Sequence, residues 1–302
     1  MKHFKTISEF HTFRNLPKPL HPLISLIHVD HVKQLHHDEP TSLVFDFYSI
    51  ALKRVSNIKM KYGQQSFDFN EGILSFMAPG QVISLDLVNT DDEVNQSGWV
   101  LNIHPDFLWN TPLAKTIRHY DFWSYTLHEA LFLSAKEEAM LNNISETIEQ
   151  EYHATIDRFS KQIIISQLET LLNYSDRFYH RQFITREKAN HQVLERLEEL
   201  LDAYFDNDSW DKGGLPTVQH IAGQLNLSPK YLSNLLRTLT GQNTQQHIHE
   251  KLIEKAKEKL STTDLSVGEI AYALGFEHLP SFSKLFKTKT NQSPLAFRAS
   301  FN

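Results

Sequence analysis

Two sets of polar side chains recur at helical spacing near the C-terminal end of this 302-residue chain. Lys230, Ser233, Asn234 and Arg237 fall at i, i+3, i+4 and i+7. Ser281, Lys284 and Lys287 fall at i, i+3 and i+6, with Pro280 just ahead of them. At helical pitch each set shares one face. The chemistry open to such faces is recognition: ammonium and guanidinium groups neutralise phosphates or donate to guanine edges, and an Asn amide can pair bidentately with adenine. On one helix alone the same residues would make an ordinary solvated face. Their occurrence twice, in matching surroundings, argues for a shared task.

The elements that must hold these faces repeat as well. Ile221-Ala222-x-x-Leu225-x-Leu227 returns as Ile270-Ala271-x-x-Leu274-Gly275-Phe276, 49 residues on. Leu232-Ser233-x-Leu235-Leu236-Arg237 then becomes Phe282-Ser283-x-Leu285-Phe286-Lys287, displaced by one more residue, so the second turn is longer by one. In the first copy Thr217 is the expected N-cap of a short helix, Asn226-Leu227 form the turn, Ser228 caps the second helix and Pro229 takes its first position. In the second copy Ser266 and Glu269 form a capping box, and Gly275 supplies a left-handed turn. Phe282, Leu285 and Phe286 are expected to be buried there, with Leu279 and Pro280 facing outward. Between the copies, Ile248, Leu252, Ala256 and Leu260 define one continuous helix over 245–260. Two helix-turn-helix units, at 217–241 and 266–291, joined by a stiff connector suit successive major grooves on one face of a duplex, roughly 34 Å apart.

Composition bounds the rest. The chain has no cysteine, which removes disulfides, thiolate metal sites and cysteine nucleophiles. Formal net charge is −6, but residues 213–302 hold 10 Lys+Arg against 6 Asp+Glu while residues 1–212 hold 20 against 30. A modestly basic end joined to an acidic remainder suits a nucleic-acid-binding domain with a companion that does not bind nucleic acid. No apolar run is long enough for a membrane span and the N-terminus lacks signal-peptide features, so the expectation is a cytoplasmic protein without a membrane partner.

Upstream, the period is that of strands. Runs at 23–29, 43–52, 66–69, 73–77, 82–88 and 98–103 are rich in β-branched and aromatic residues, with Phe45-Asp46-Phe47 and Phe67-Asp68-Phe69 alternating and Glu71-Gly72 and Pro79-Gly80 as turn signals. Several short strands predict a sandwich or small barrel. Ser134 and Glu137 then make a capping box ahead of Leu141, Ile144, Ile148 and Tyr152 at helical spacing. Further helices are expected over 159–175 and 193–205, and the acidic stretch 206–214 precedes the repeat. Histidines at 28, 31, 36, 37 and 104 invite a metal reading, but no His-x-His with a spaced Glu accompanies them. The aromatic set Phe45, Phe47, Tyr62, Phe67, Phe69, Phe76 and Trp99 fits plain core better than a ligand cage. The expected sites therefore include no catalytic, cofactor or metal residue.

Residues 190–302 resemble the DNA-binding domain of the AraC/XylS family of bacterial transcription regulators. The carrying motifs are Ile221-Ala222 through Ser228-Pro229-Lys230-Tyr231-Leu232-Ser233, Lys255-Ala256 with Leu260, Ile270 through Phe276, Phe282 through Lys287, and Ser293-Pro294 with Phe297-Arg298. The resemblance implies base-reading positions at Lys230, Ser233 and Asn234 in the first unit and at Pro280, Ser281 and Lys284 in the second. Two departures stand out: Lys251 where arginine is usual, and Asn291 in place of glycine after the second recognition helix. The zero cysteine count also separates the chain from methyl-accepting repair proteins that carry a similar module. The resemblance implies an α+β architecture: a cupin-like β-sandwich or barrel over 1–111 as sensor, a helical dimerisation segment over 112–189, and an all-α tandem helix-turn-helix domain. It further implies double-stranded DNA, RNA polymerase and a second copy of the chain as partners, with a small-molecule effector. Two alternatives stay open: a ligand-blind dimeric regulator, and a metal-dependent cupin enzyme tethered to DNA.

Overall fold

The computed structural model describes residues 1–29, 42–56, 61–62, 65–66, 72–84, 95–126, 129–154, 157–185, 187–206 and 214–300. The chain divides into two compact units, Met1–Gln182 and Phe183–Asn302. Phe67-Asp68-Phe69, Glu71, His31, His36, His37, the side chain of Tyr62 and residues 207–213 of the acidic stretch lie outside what is described.

The first unit opens with β1 (Lys2–Phe4) and α1 (Ile7–Phe13). It continues through β2 (Ile24–His28), β3 (Ser42–Phe45), β4 (Tyr48–Ser56), β5 (Lys61–Tyr62), β6 (Gln65–Ser66), β7 (Ile73–Met77), β8 (Val82–Ser84) and β9 (Asn95–Ile103). Short helices α2 (Pro105–Leu108) and α3 (Leu113–Thr116), strand β10 (Leu131–Phe132) and helix α4 (Ala135–His153) follow, and α5 (Ser160–Thr185) begins here. A five-stranded antiparallel sheet has the order β10-β7-β4-β9-β2, a three-stranded mixed sheet the order β1-β3-β8, and β5 pairs with β6. The apolar run expected as one strand over 43–52 is two. The chain breaks at Asp46-Phe47, where the Asp46 N–H donates to Phe4 O at 3.0 Å, and passes from the small sheet to the large one.

Strand alternation then sorts the large sheet. Tyr48, Ile50 and Leu52 share a face with Leu101 and Trp99, and all are buried. Helix α4 binds this face, since Trp99 Nε1 donates to Asn142 Oδ1 at 2.9 Å and Arg54 pairs with Glu138 at 2.6 Å. Ser134 and Glu137 form the expected capping box at its start. The first helix was not expected, although Thr6 and Glu9 form a capping box of the same kind. Its Phe10 and Phe13 pack with Phe4, Phe45 and Phe47. Phe45, Phe47, Phe76 and Trp99 are thus core. Helix α5 runs ten residues beyond the expected Ser175, because Phe178, Tyr179 and Phe183 are buried and extend its apolar side.

In the second unit come α6 (Glu187–Asp206), α7 (Val218–Gln224), α8 (Pro229–Thr240), α9 (Thr244–Thr262), α10 (Val267–Ala273), α11 (Leu279–Thr290) and α12 (Pro294–Ala299). Helix α6 starts six residues before the expected Val193. It belongs to the helix-turn-helix core: Leu197, Leu201 and Phe205 pack with Ile221, Leu252, Ala256 and Ile270. Lys251 Nζ lies 2.6 Å from Asp202 Oδ1, a hydrogen bond that raises the lysine pKa and fastens α9 to α6. Helix α9 packs against α6, α8, α10 and α12, so it is the spine of the unit. At about 1.5 Å per residue it is about 28 Å long.

Candidate nucleic-acid interface

The first helix-turn-helix unit is α7 and α8. Thr217 caps α7 by accepting from the His220 N–H, and Ser228 caps α8 by accepting from the Tyr231 N–H, with Pro229 at the first helical position. Between them Leu227 N–H donates to Ala222 O at 2.9 Å and Asn226 N–H to Gly223 O at 3.1 Å. This is the paired six-to-one and five-to-two closure of a Schellman turn, and Asn226 takes the left-handed position at φ 56°. Leu232, Leu235 and Leu236 are buried on one side of α8. On the other, Lys230 and Arg237 are exposed, while Ser233 and Asn234 are half-buried. The Ser233 hydroxyl lies 3.0 Å from the hydroxyl of Thr244, a fully buried residue in the first turn of α9. Ser233 therefore also ties the head to the spine, a role its place in the polar face did not signal.

The second head, α10 and α11, repeats this plan with different fillings. Ser266 and Glu269 form the expected capping box, and hydrogen bonds from the Ser266 backbone and side chain hold the Glu269 carboxyl below its usual pKa. Phe276 N–H donates to Ala271 O at 3.0 Å and Gly275 N–H to Tyr272 O at 2.9 Å. Gly275 is left-handed at φ 84°, and a Cβ there would come within 2.8 Å of the Gly214 backbone. The extra residue of this turn places His278 at the N-cap of α11, where no side chain accepts a hydrogen bond. The first turn of the helix, carrying Leu279, Pro280 and Ser281, is exposed. Lys284 and Lys287 are exposed on the same helix, Phe282 and Phe286 are fully buried, and Leu285 is half-buried rather than buried. Asn291 ends α11 at φ 60°, the left-handed conformation that Asn tolerates in place of glycine. Arg298 of α12 donates to Leu260 O at 3.2 Å and Leu265 O at 2.6 Å, which fixes the path from α9 into the second head.

All eight expected contact residues thus lie on α8 or α11, six exposed and two half-buried. Tyr272 is an addition: it is 60% exposed on α10, beside the turn rather than in the apolar skeleton. Its place between Ala271 and Ala273, off the buried i, i+1, i+4 pattern, was the available signal. Two of the histidines weighed as metal ligands, His104 and His28, lie within the described residues. His104 accepts from the Asp106 N–H as N-cap of α2, and His28 Nε2 lies 2.9 Å from Glu149 Oε1. Among the described residues no three His, Asp or Glu side chains form a metal-binding group, and no helix is long and apolar enough to cross a membrane.

Residues 221–300 match the family described as "Helix-turn-helix domain". The chain is similar to the arabinose operon regulatory protein of Salmonella typhimurium, 29% identical over 150 residues, 47% of either chain. It is similar to the transcriptional activator RhaS of Escherichia coli, 32% identical over 99 residues, 33% of either chain. The raffinose operon regulatory protein RafR of Pediococcus pentosaceus is 36% identical over 84 residues, 28% of this chain and 30% of the relative. The chain spans less than half the length of each of these relatives. Among solved structures, the DNA-binding domain of AdpA in complex with a target DNA is 25% identical, covering 37% of this chain and 91% of that one, with a TM-score of 0.30.

Proposed function

We propose that this chain, which by its C-terminal third is a member of the AraC/XylS family of transcription regulators, binds double-stranded DNA sequence-specifically and regulates transcription in the cytoplasm. The observation that carries the reading is the pair of polar faces on α8 and α11, set on one skeleton and joined by α9. Lys230, Ser233 and Asn234 read bases in one half-site and Pro280, Ser281 and Lys284 in the other, while Arg237 and Lys287 hold phosphates. Pro280 lacks a backbone donor, so its contribution is apolar contact, as with a thymine methyl.

The same proposal gives the remainder of the chain its roles. Residues 1–111 form a cupin-like sensor that takes a small-molecule effector, residues 112–189 a helical dimerisation segment, and residues 190–302 the DNA-binding domain. The working form is a homodimer and RNA polymerase is the downstream partner. The test is competition: a fragment carrying the protein's own promoter, held in a gel shift, should resist displacement by random-sequence duplex. Equal displacement by both would exclude sequence-specific regulation. A thermal-shift screen with metabolites separates the effector-responsive form from a ligand-blind regulator, because a ligand of the folded state raises Tm.

A further inference from the structure

A polar track joins the two recognition helices across the start of α9. It begins at Ser233 of α8, whose hydroxyl lies 3.0 Å from that of Thr244. Gln245 is the next residue of α9, and His249 stands one turn on, at i+4. The Gln245 amide nitrogen donates to the His249 ring Nε2 at 2.8 Å, so the neutral ring carries its proton on Nδ1. Among the described residues nothing accepts from that Nδ1–H. The far end of the track is Lys289, in the last turn of α11, whose charge reaches the His249 ring. Gln245 and Lys289 are exposed and His249 is half-buried. Among the described residues no carboxylate forms an ion pair with the ring or with the lysine.

An amide N–H, an imidazole N–H and an ammonium group are thereby gathered with no acid among them, which is the donor set of an anion seat. Its position says which anion. The track starts on one recognition helix, crosses the spine and ends on the other. When two heads enter successive major grooves on one face of a duplex, the minor groove and its flanking phosphates pass between them. The anion met along this interval is a phosphodiester.

We propose that Gln245, His249 and Lys289 form a third DNA contact, a seat for one backbone phosphate between the two half-sites, which fixes the register of the duplex on both heads without reading a base. This rests on the reading of the chain as a sequence-specific DNA-binding protein and adds a positioning contact to it. The test uses the full chain and its promoter fragment, with single phosphates between the two boxes replaced by neutral methylphosphonates. One such replacement should weaken binding of the parent chain about tenfold, as loss of a charge-assisted contact does. His249→Ala and Lys289→Gln should each bind the unmodified fragment about threefold or more weakly and lose most of their sensitivity to that replacement, the coupling that a double-mutant cycle reads. His249→Arg should keep both the affinity and the sensitivity, which separates loss of the contact from loss of the helix. A parent chain insensitive at every phosphate between the boxes, or variants as sensitive as the parent, would overturn the seat and leave sequence-specific binding intact. If random duplex displaces the promoter fragment as readily as the promoter itself, the DNA-binding reading fails and the seat fails with it.

Discussion

The two helix-turn-helix heads have one backbone plan and two solutions to it. Each closes its first helix with the same pair of hydrogen bonds and each needs a left-handed residue there. The first uses Asn226 and the second Gly275; after the recognition helices the choice is reversed, with Gly241 ending α8 and Asn291 ending α11. A positive φ by itself does not demand glycine, since Asn tolerates it. What demands glycine at 275 is the Gly214 backbone pressed against it, whereas Gly241 has open space around a notional Cβ and answers to φ alone. The heads differ again at the start of the recognition helix. Ser228 satisfies an N–H in the first, and the longer second turn leaves α11 without a side-chain cap.

The largest effect should come from breaking that difference at the turn. Gly275→Ala is expected to destabilise the second unit by about 3 kcal/mol or more, combining left-handed strain with a backbone clash. Asn226→Gly should change stability by less than about 1 kcal/mol. Urea denaturation of the two variants decides this, and equal losses would show that the Gly214 contact carries no weight. On DNA, Asn234→Ala and Lys284→Ala should each relax base preference by about 1–3 kcal/mol in one half-site only, measured by binding to single-base operator variants. Ser228→Ala should cost about 1 kcal/mol in thermal or urea unfolding, and His278→Ala far less, because only the first removes a cap. Smaller still, Arg237→Ala and Lys287→Ala should weaken all sequences alike, each lowering the slope of log K against log salt by about 0.9.

The smallest effect concerns two histidines of α9. Burial lowers the pKa of both His247 and His249; for His247 the charges of Glu250 and Glu198 oppose that shift, and for His249 the charge of Lys289 on α11 adds to it. The lowered values favour the neutral ring in the folded state, so the contribution of each is present above the unfolded histidine pKa and is lost as pH falls through the lowered folded values. Lys289→Ala should move the NMR titration of His249 upward and leave His247 in place.

Much of this second unit was legible because its signals are local. Capping pairs such as Ser266/Glu269, prolines at first helical positions and four-residue apolar spacing in α9 each act within one or two turns. What escaped was set by tertiary contact. Nothing local marks the Ser233–Thr244 pairing, the crowding of Gly275 by Gly214, or the reach of α5 past Ser175, where aromatic residues of modest helix propensity are held by burial. The sheet topology of the first unit was hidden for a similar reason. The run over 43–52 carries β character throughout, and only the contact of Asp46 with Phe4 shows where the chain changes sheets.

The account turns on the claim that the two heads read different half-sites, and selection of binding sites from random duplex DNA tests it most directly. The parent chain should recover a motif of two unlike boxes centred about 10–10.5 base pairs apart, with Asn234→Ala erasing preference in one box and Lys284→Ala in the other. A single box, or both boxes fading together in either variant, would contradict it.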